Sequence, residues 1–358
     1  TLLFFTFYIS ANLVGLGRLF HSILGIDYYI GITLGIIVVF YTLLGGYLSM
    51  VWIDFFQGLF LMGVIIAIPL IALWNLGSFD AVVLAATRNN LSLSLMPSFS
   101  FITIKDIVFA AAGWGLGYFG QPHILTKFMA IDDVREMKKA QYIGLSWMVL
   151  SMFGATLVGL VGIASFAQGT LVSNELIFVT MVKSLFSPFV GGFILCAVIA
   201  AAINVIGAQI LCSASIIAED FYKKIVVKTD THPTIAQQKH ISLVARLGVV
   251  VMCIFAYIYA FSTTQPLNEL VFYAWTGLGS SFGPLLLVAL HSRVQSAAAA
   301  IAGILTGGLT AAFWPYLATS VPAMIPAYIF SLTAIFATEY LWKLMTLQET
   351  AAKAHTRS

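Results

Sequence analysis

Ten apolar stretches follow one another along this chain, each about long enough to cross a bilayer, and little lies between them. They run over about 1–23, 28–47, 53–76, 104–128, 140–168, 188–220, 242–262, 267–290, 295–317 and 324–346. A hydrocarbon core of about 30 Å takes roughly 20 helical residues, and a backbone inside it must satisfy its own hydrogen bonds. The composition agrees: 60% of residues are hydrophobic and only 9% charged, against roughly half and a quarter in a soluble domain. A soluble fold of 358 residues could not hide that much apolar surface. The expected fold class is an all-α polytopic membrane protein with about ten transmembrane helices. The stretches at 140–168 and 188–220 exceed one crossing and are expected to tilt or protrude.

Ten spans put both ends of the chain on one side. With residue 1 cytoplasmic, thirteen of the seventeen lysines and arginines fall inside, and Arg18, Arg88, Lys105 and Lys183 fall outside. That is the expected bias. The loops at 128–139 and 221–241 and the tail 347–358 are connectors, too short to be domains. The net charge of +3 gives no reason to expect nucleic acid as a partner. Cys196, Cys212 and Cys253 lie in apolar runs without metal spacing and read as packing residues. Residue 1 is Thr and opens directly onto an apolar run with no leader, so the chain is expected to begin inside a longer protein.

Gly113–His123, G-W-G-L-G-Y-F-G-Q-P-H, interrupts one span with glycines, aromatic rings and a proline. Such a break in lipid needs protein or a water-filled cavity to receive the freed backbone groups. Gly113, Gly115 and Gly117 would permit it, and Pro122 would fix the kink. Trp114 and Tyr118 could then offer ring faces and a hydroxyl to a small solute. Close helix packing through small residues explains the glycines equally well. A second run, Gly277, Gly279, Gly283 and Pro284, could flex as a gate or allow close packing, with Tyr273 and Trp275 as pocket walls or an interface belt.

Polar residues inside spans are the remaining candidates. Tyr8 needs a partner for its phenol, in a solute site or in the core. Asp54, at the cytoplasmic mouth of the third span, is either a helix cap or a functional acid. Arg18 follows a small-residue run at the outer end, where it closes packing or a gate. Ser213 and Ser215 read as interhelical hydrogen bonders, and Lys105-Asp106 and Glu219-Asp220 as solvated pairs.

Several ordered motifs together resemble the sodium:solute symporter family, and within it the bacterial proline carriers. They are L-F-F-T-F-Y at 3–8, G-R-L-F at 17–20, G-G-Y-L-S-M-V-W-I-D-F-F-Q at 45–57 and the break at 113–123. K-F-M-A at 127–130, I-G-L-S-W-M at 143–148, A-E-D-F-Y-K at 218–223 and Y-A-W-T-G-L-G-S-S-F-G-P at 273–284 continue the match. The resemblance implies two inverted five-helix repeats with solute and ion near the bilayer midplane. Residues 1–76 would be the last three helices of the first repeat, 104–290 the second repeat, and 295–346 two extra helices. The first two core helices would be absent from this sequence.

The resemblance further implies sodium-coupled symport of proline in a bacterial plasma (inner) membrane. Tyr8, Trp114 and Tyr118 match its solute-contacting aromatics. Its sodium positions fall on Ala201, Asn204 and Val205. Sodium wants oxygen ligands, and Val205 has none in its side chain, so the Na+ site is expected to be degenerate. The family keeps an acid at Asp54 with a suggested role in sodium access or gating. Two other readings stand beside transport: an inactive remnant, favoured by Asn204 and Val205, and a symporter-like sensor domain, disfavoured by the short tail. An enzyme is not expected, because the sequence has no paired carboxylates, H-E-x-x-H or nucleophile elbow, and its six histidines are scattered.

Overall fold

The computed structural model describes residues 1–42, 46–94, 98–167, 171, 173–227, 234–292, 296–317 and 319–355. Gly45 of the motif at 45–57, the charges Lys228, Arg293 and Arg357 expected on the cytoplasmic side, and His232 lie outside the described residues. Thirteen α-helices occur among the described residues, and no strand. They are α1 Leu2–Leu24, α2 Tyr28–Thr42, α3 Gly46–Leu76, α4 Asp80–Arg88, α5 Phe101–Gly115, α6 Pro122–Met129 and α7 Met137–Ser165. Then follow α8 Ile177–Leu185, α9 Pro188–Ser215, α10 Ile235–Ser262, α11 Leu267–His291, α12 Ala297–Phe313 and α13 Met324–His355. Among the described residues, eight helical stretches are long and apolar enough to cross a membrane.

The sequence-based count was about ten, and the difference has local causes. The stretch at 28–47 forms a helix of 15 residues over Tyr28–Thr42. The stretch at 104–128 is split into α5, a 3-10 turn over Leu116–Gly120 and α6. Neither part is long enough to span by itself. Two short helices, α4 and α8, occupy segments read as connections between spans. At 28 residues, α9 is about 42 Å long, more than one crossing, and it runs on as a π-helix over Ile216–Val227. α13 carries the helix on into the tail as far as His355.

The chain forms two compact units. The first comprises residues 1–8, 98–130 and 265–358, the second 9–97 and 131–264.

In the first unit, α11, α12 and α13 pack through small residues. A side chain at Gly303 would collide with Ile335, and one at Gly307 with the Ser280 carbonyl. Ser331 donates to the Gly303 carbonyl at 2.9 Å and Ser280 to the Gly307 carbonyl at 3.1 Å. Backbones that approach this closely gain dispersion contacts and hydrogen bonds, which drive helix association in lipid. α11 is one continuous helix despite Pro284, and its glycines serve packing: Phe4 fills the space over Gly277, and Tyr328 stands over Gly283.

In the second unit, α3, α7, α8 and α9 enclose an apolar cluster that includes Ile68, Val161, Val182 and Leu195. Gly154 of α7 lets the Ile65 backbone approach to 3.0 Å of the place a Cβ would take. α1 and α2 meet where Gly17 faces Tyr28 and Ile32, each 2.8 Å from a Cβ built there. A capping box, Thr234 with Gln237, fixes the start of α10.

Candidate functional site

The break at Gly113–His123 forms in the first unit as the residue types predict. α5 ends at Gly115, Leu116–Gly120 tightens to 3-10, Gln121 is extended, and α6 restarts with Pro122 at its first position. A proline there loses no helical hydrogen bond, because the first N–H groups of a helix have no partner.

The freed carbonyls are received by protein. The Trp275 indole N–H of α11 donates to the Trp114 carbonyl at 3.0 Å. The Gln121 side-chain amide donates to the Gly117 carbonyl at 3.1 Å and to the Trp275 carbonyl at 3.0 Å. Gln121 is fully buried (0%) and Trp275 nearly so (6%). Both partners of Gln121 are carbonyls, so its nitrogen must face them.

The glycines of the motif differ in what they do. A Cβ at Gly117 would overlap the Trp275 indole, and one at Gly120 would stand 2.6 Å from the Gly279 carbonyl oxygen and 2.6 Å from the Gly283 nitrogen. Gly113 has only ordinary contacts, 3.4 Å to Phe272, and nothing lies within 4 Å of a Cβ at Gly115. Close packing therefore accounts for Gly117 and Gly120, and it coexists with the break.

Trp114 and Tyr118 both pack against the Trp275 ring. Tyr118 meets it edge-on, with centroids 4.8 Å apart, and Trp114 is tilted at 6.2 Å. Phe272 stands edge-on to Trp114 at 5.0 Å. Such edge contacts fix ring orientation through the ring quadrupoles. Trp114 remains 43% exposed and Tyr118 44%, so each keeps an open ring surface. The N–H groups at the start of α6 are mostly occupied. Pro122 has none, and those of Ile124 and Leu125 both go to the Gln121 carbonyl, each at 3.0 Å.

Tyr8, in the same unit, is buried and stands edge-on to His123 at 5.8 Å, and Phe5 packs against the same imidazole at 5.8 Å. Tyr8 is thereby placed beside His123, at the start of α6. Tyr273 packs against Phe7 at 5.3 Å and Phe4 at 6.2 Å. It packs against α1, and Trp275 is the partner of the break.

The second unit holds the remaining candidates. Ala201, Asn204 and Val205 share a face of α9, as positions three and four apart must. Asn204 is buried, and its side-chain amide donates to an Asp54 carboxylate oxygen of α3. Asp54 lies two turns inside α3, which begins at Gly46, so it does not cap the helix start. Val205 is 43% exposed and brings no oxygen. One turn on, Gln209 accepts from Asn12 of α1 at 3.2 Å. Ser213 donates to the Gln209 carbonyl at 2.8 Å within its own helix, not between helices.

Arg18 pairs with Glu175 in the turn before α8, and Lys183 of α8 donates to the Ser22 carbonyl of α1. Glu175 and Lys183 carried no role in the sequence reading. At the opposite end, Glu219–Lys223 and Glu136–Lys139 form exposed pairs at 2.8 Å, as solvated charges do. Cys253 is buried and Cys196 exposed; both are free thiols.

Eight helical stretches of membrane-spanning length among the described residues, with a further apolar stretch interrupted by a glycine-proline segment, define a polytopic helical membrane protein of the kind that handles small solutes at discontinuous helices. A model of the sodium:solute symporter family matches residues 1–307, and the chain belongs to that family. It is 38% identical over 341 residues to the high-affinity proline transporter PutP of Bacillus subtilis (strain 168), covering 94% of this chain and 70% of that protein. It is 39% identical over 316 residues to the sodium/proline symporters of Staphylococcus aureus strains JH9 and COL, covering 87% of this chain and 60% of theirs.

Proposed function

We propose that the protein carries proline across a bacterial plasma membrane, coupled to sodium, by alternating access. Family membership and the proline and sodium/proline transport named for its relatives support this reading. The observation in the chain that carries it is the broken helix, which leaves the Trp114 and Tyr118 rings partly open beside a packed support. An imino acid offers a saturated ring and a secondary ammonium, and aromatic faces suit both. Tyr8, Trp114 and Tyr118 bind the solute, while Gly113, Gly115, Gly117 and Pro122 shape the break. Ala201 and Asn204 supply oxygens to the sodium ion in transit, a backbone carbonyl and an amide oxygen respectively. Asp54 and Arg18 act in gating at opposite ends.

In this reading 1–76 and 104–290 belong to two inverted repeats, 295–346 adds two helices, and both ends of the chain face the cytoplasm. The protein is a carrier rather than an enzyme, with proline, sodium and lipid as its partners and no nucleic acid. Uptake of labelled proline in cells lacking their own proline carriers tests it. Saturable uptake that rises with sodium is expected. Protein shown to be in the membrane that takes up no proline at any sodium concentration would overturn the proposal.

A further inference from the structure

Trp275 and Gln121 close a ring of hydrogen bonds around the break. The indole N–H reaches back to the Trp114 carbonyl, one Gln121 N–H holds the Gly117 carbonyl, and the other returns to the Trp275 carbonyl. Three carbonyls at the places where the α-helix tightens to 3-10 and where α11 passes it, those of Trp114, Gly117 and Trp275, thus receive donors from two side chains. No water or lipid group is needed for them, and both side chains are buried.

The backbones beside this ring are locked as well. A Cβ at Gly279 would come 2.6 Å from the Gly117 Cα, and one at Gly120 would come 2.6 Å from both the Gly279 oxygen and the Gly283 nitrogen. The 3-10 turn and α11 thus approach backbone to backbone, leaving no room for a side chain at Gly120 or Gly279. The Trp275 ring also contacts both Trp114 and Tyr118, at 6.2 and 4.8 Å. Any displacement of α11 is therefore transmitted to both rings.

From this geometry we infer that Trp275 and Gln121 are positioning residues of the solute site: α11 and the break move as one body, and α11 sets the orientation of Trp114 and Tyr118. The inference rests on the reading of Trp114 and Tyr118 as solute-binding rings. Neither Trp275 nor Gln121 need touch the solute. Their loss changes affinity because the rings lose a fixed orientation, and preorganisation is a large part of binding strength.

The test is Trp275→Phe, which keeps an aromatic ring and deletes the N–H, in the protein expressed in cells lacking their own proline carriers. Initial rates of proline uptake give the half-saturating concentration and the maximal rate separately, normalised to protein in the membrane. Half-saturation is expected to rise about tenfold, with the maximal rate within about twofold, because a buried hydrogen-bond partner is lost. Gln121→Met, which removes the amide at nearly constant volume, should act alike. The double variant should cost less than the two single effects combined, since both cut one ring of bonds.

Unchanged half-saturation in Trp275→Phe, alongside lost affinity in Trp114→Ala, would overturn the inference and leave the solute site standing. A lower membrane level and maximal rate at unchanged half-saturation would mean a purely structural role and would overturn it too. Unchanged affinity in both Trp114→Ala and Tyr118→Ala would instead remove the solute-site reading itself. If Trp275→Phe fails to reach the membrane, Gln121→Met decides by the same outcomes.

Discussion

Asn204 of α9 donates its side-chain amide to the carboxylate of Asp54 in α3, two helices of one compact unit. The bond occupies the amide nitrogen of Asn204 and leaves its oxygen available. It also accounts for a charged residue inside an apolar span, where an unpartnered acid is expensive. A face that the family resemblance marks for sodium thus holds a carboxylate–amide pair, followed one residue later by an apolar side chain.

That arrangement predicts that Val205→Thr strengthens sodium coupling. Threonine is nearly isosteric with valine, the position is partly open, and the new hydroxyl adds one hard oxygen. The sodium concentration for half-maximal proline uptake should fall about three- to tenfold, the scale of one added ligand or hydrogen bond. Uptake measured against sodium at fixed proline checks this; an unchanged or weaker sodium dependence would place the ion elsewhere.

The same pair separates charge from hydrogen bonding at Asp54. Asp54→Asn keeps an acceptor for Asn204, whereas Asp54→Ala leaves a buried amide unpaired at a cost of about 1–3 kcal/mol. The alanine variant should therefore lose more thermal stability in detergent than the asparagine variant. Equal melting of the two by size-exclusion after heating would show that the bond contributes nothing.

The membrane class was legible because it is one-dimensional information: apolar runs near 20 residues persist whatever the tertiary fold. The break at 113–123 was legible for the same reason, since glycine and proline state their backbone consequences locally. What receives the break was not. Trp275 lies 161 residues from Trp114, and nothing in its neighbourhood separates a ring support from an interface residue. Gln121 carried the available signal, as an amide inside an apolar segment that had to find partners. Arg18 could be placed at a helix end, but its partner Glu175, 157 residues on, sits in what looked like a loop. Of the two readings of Asp54, the cap fails because α3 already begins at Gly46, two turns before it.

Charge exchange tests the Arg18–Glu175 pair. Both side chains are partly exposed, so the pair itself contributes about 0–1 kcal/mol and Arg18→Gln should change stability little. Like charges face to face are a different matter. Arg18→Glu should slow proline uptake severalfold, and adding Glu175→Arg should restore it. Failure of the double variant to recover any uptake would show that Arg18 does not act through Glu175.

The glycines of the break supply a prediction that their shared motif conceals. A Cβ at Gly115 meets nothing within 4 Å, so Gly115→Ala should be tolerated in both protein level and uptake, and alanine suits the end of α5 better than glycine does. A Cβ at Gly120 meets two backbone atoms of α11, both at 2.6 Å. Backbone cannot turn aside as a flexible side chain can, so overpacking there should cost at least about 1–3 kcal/mol. Gly120→Ala is therefore expected to lower the yield of monodisperse protein in detergent and to abolish uptake. Equal behaviour of the two variants would mean that the break and α11 are not packed backbone to backbone.

Glu339 of α13 is a buried carboxylate that accepts from the Ser296 backbone N–H at 3.1 Å, at the start of α12, with Lys343 at 3.5 Å one turn further along its own helix. The first N–H groups of a helix carry partial positive charge, and an anion placed there both accepts and complements the dipole. Ser296 caps the same helix by accepting from Ala299 at 3.3 Å, so the two side chains share the work of ending α12. Glu339→Gln keeps an acceptor of the same shape, and should lose only the charge-assisted part of the bond. Glu339→Ala removes it and strands a buried N–H, which costs about 1–3 kcal/mol. Thermal melting in detergent should rank wild type above Glu339→Gln and that above Glu339→Ala, while proline half-saturation stays unchanged in both, because the bonds of Glu339 to Ser296 and Lys343 serve the start of α12. A shifted half-saturation in Glu339→Gln would show that the α12–α13 end communicates with the solute site, and the purely structural assignment would fall.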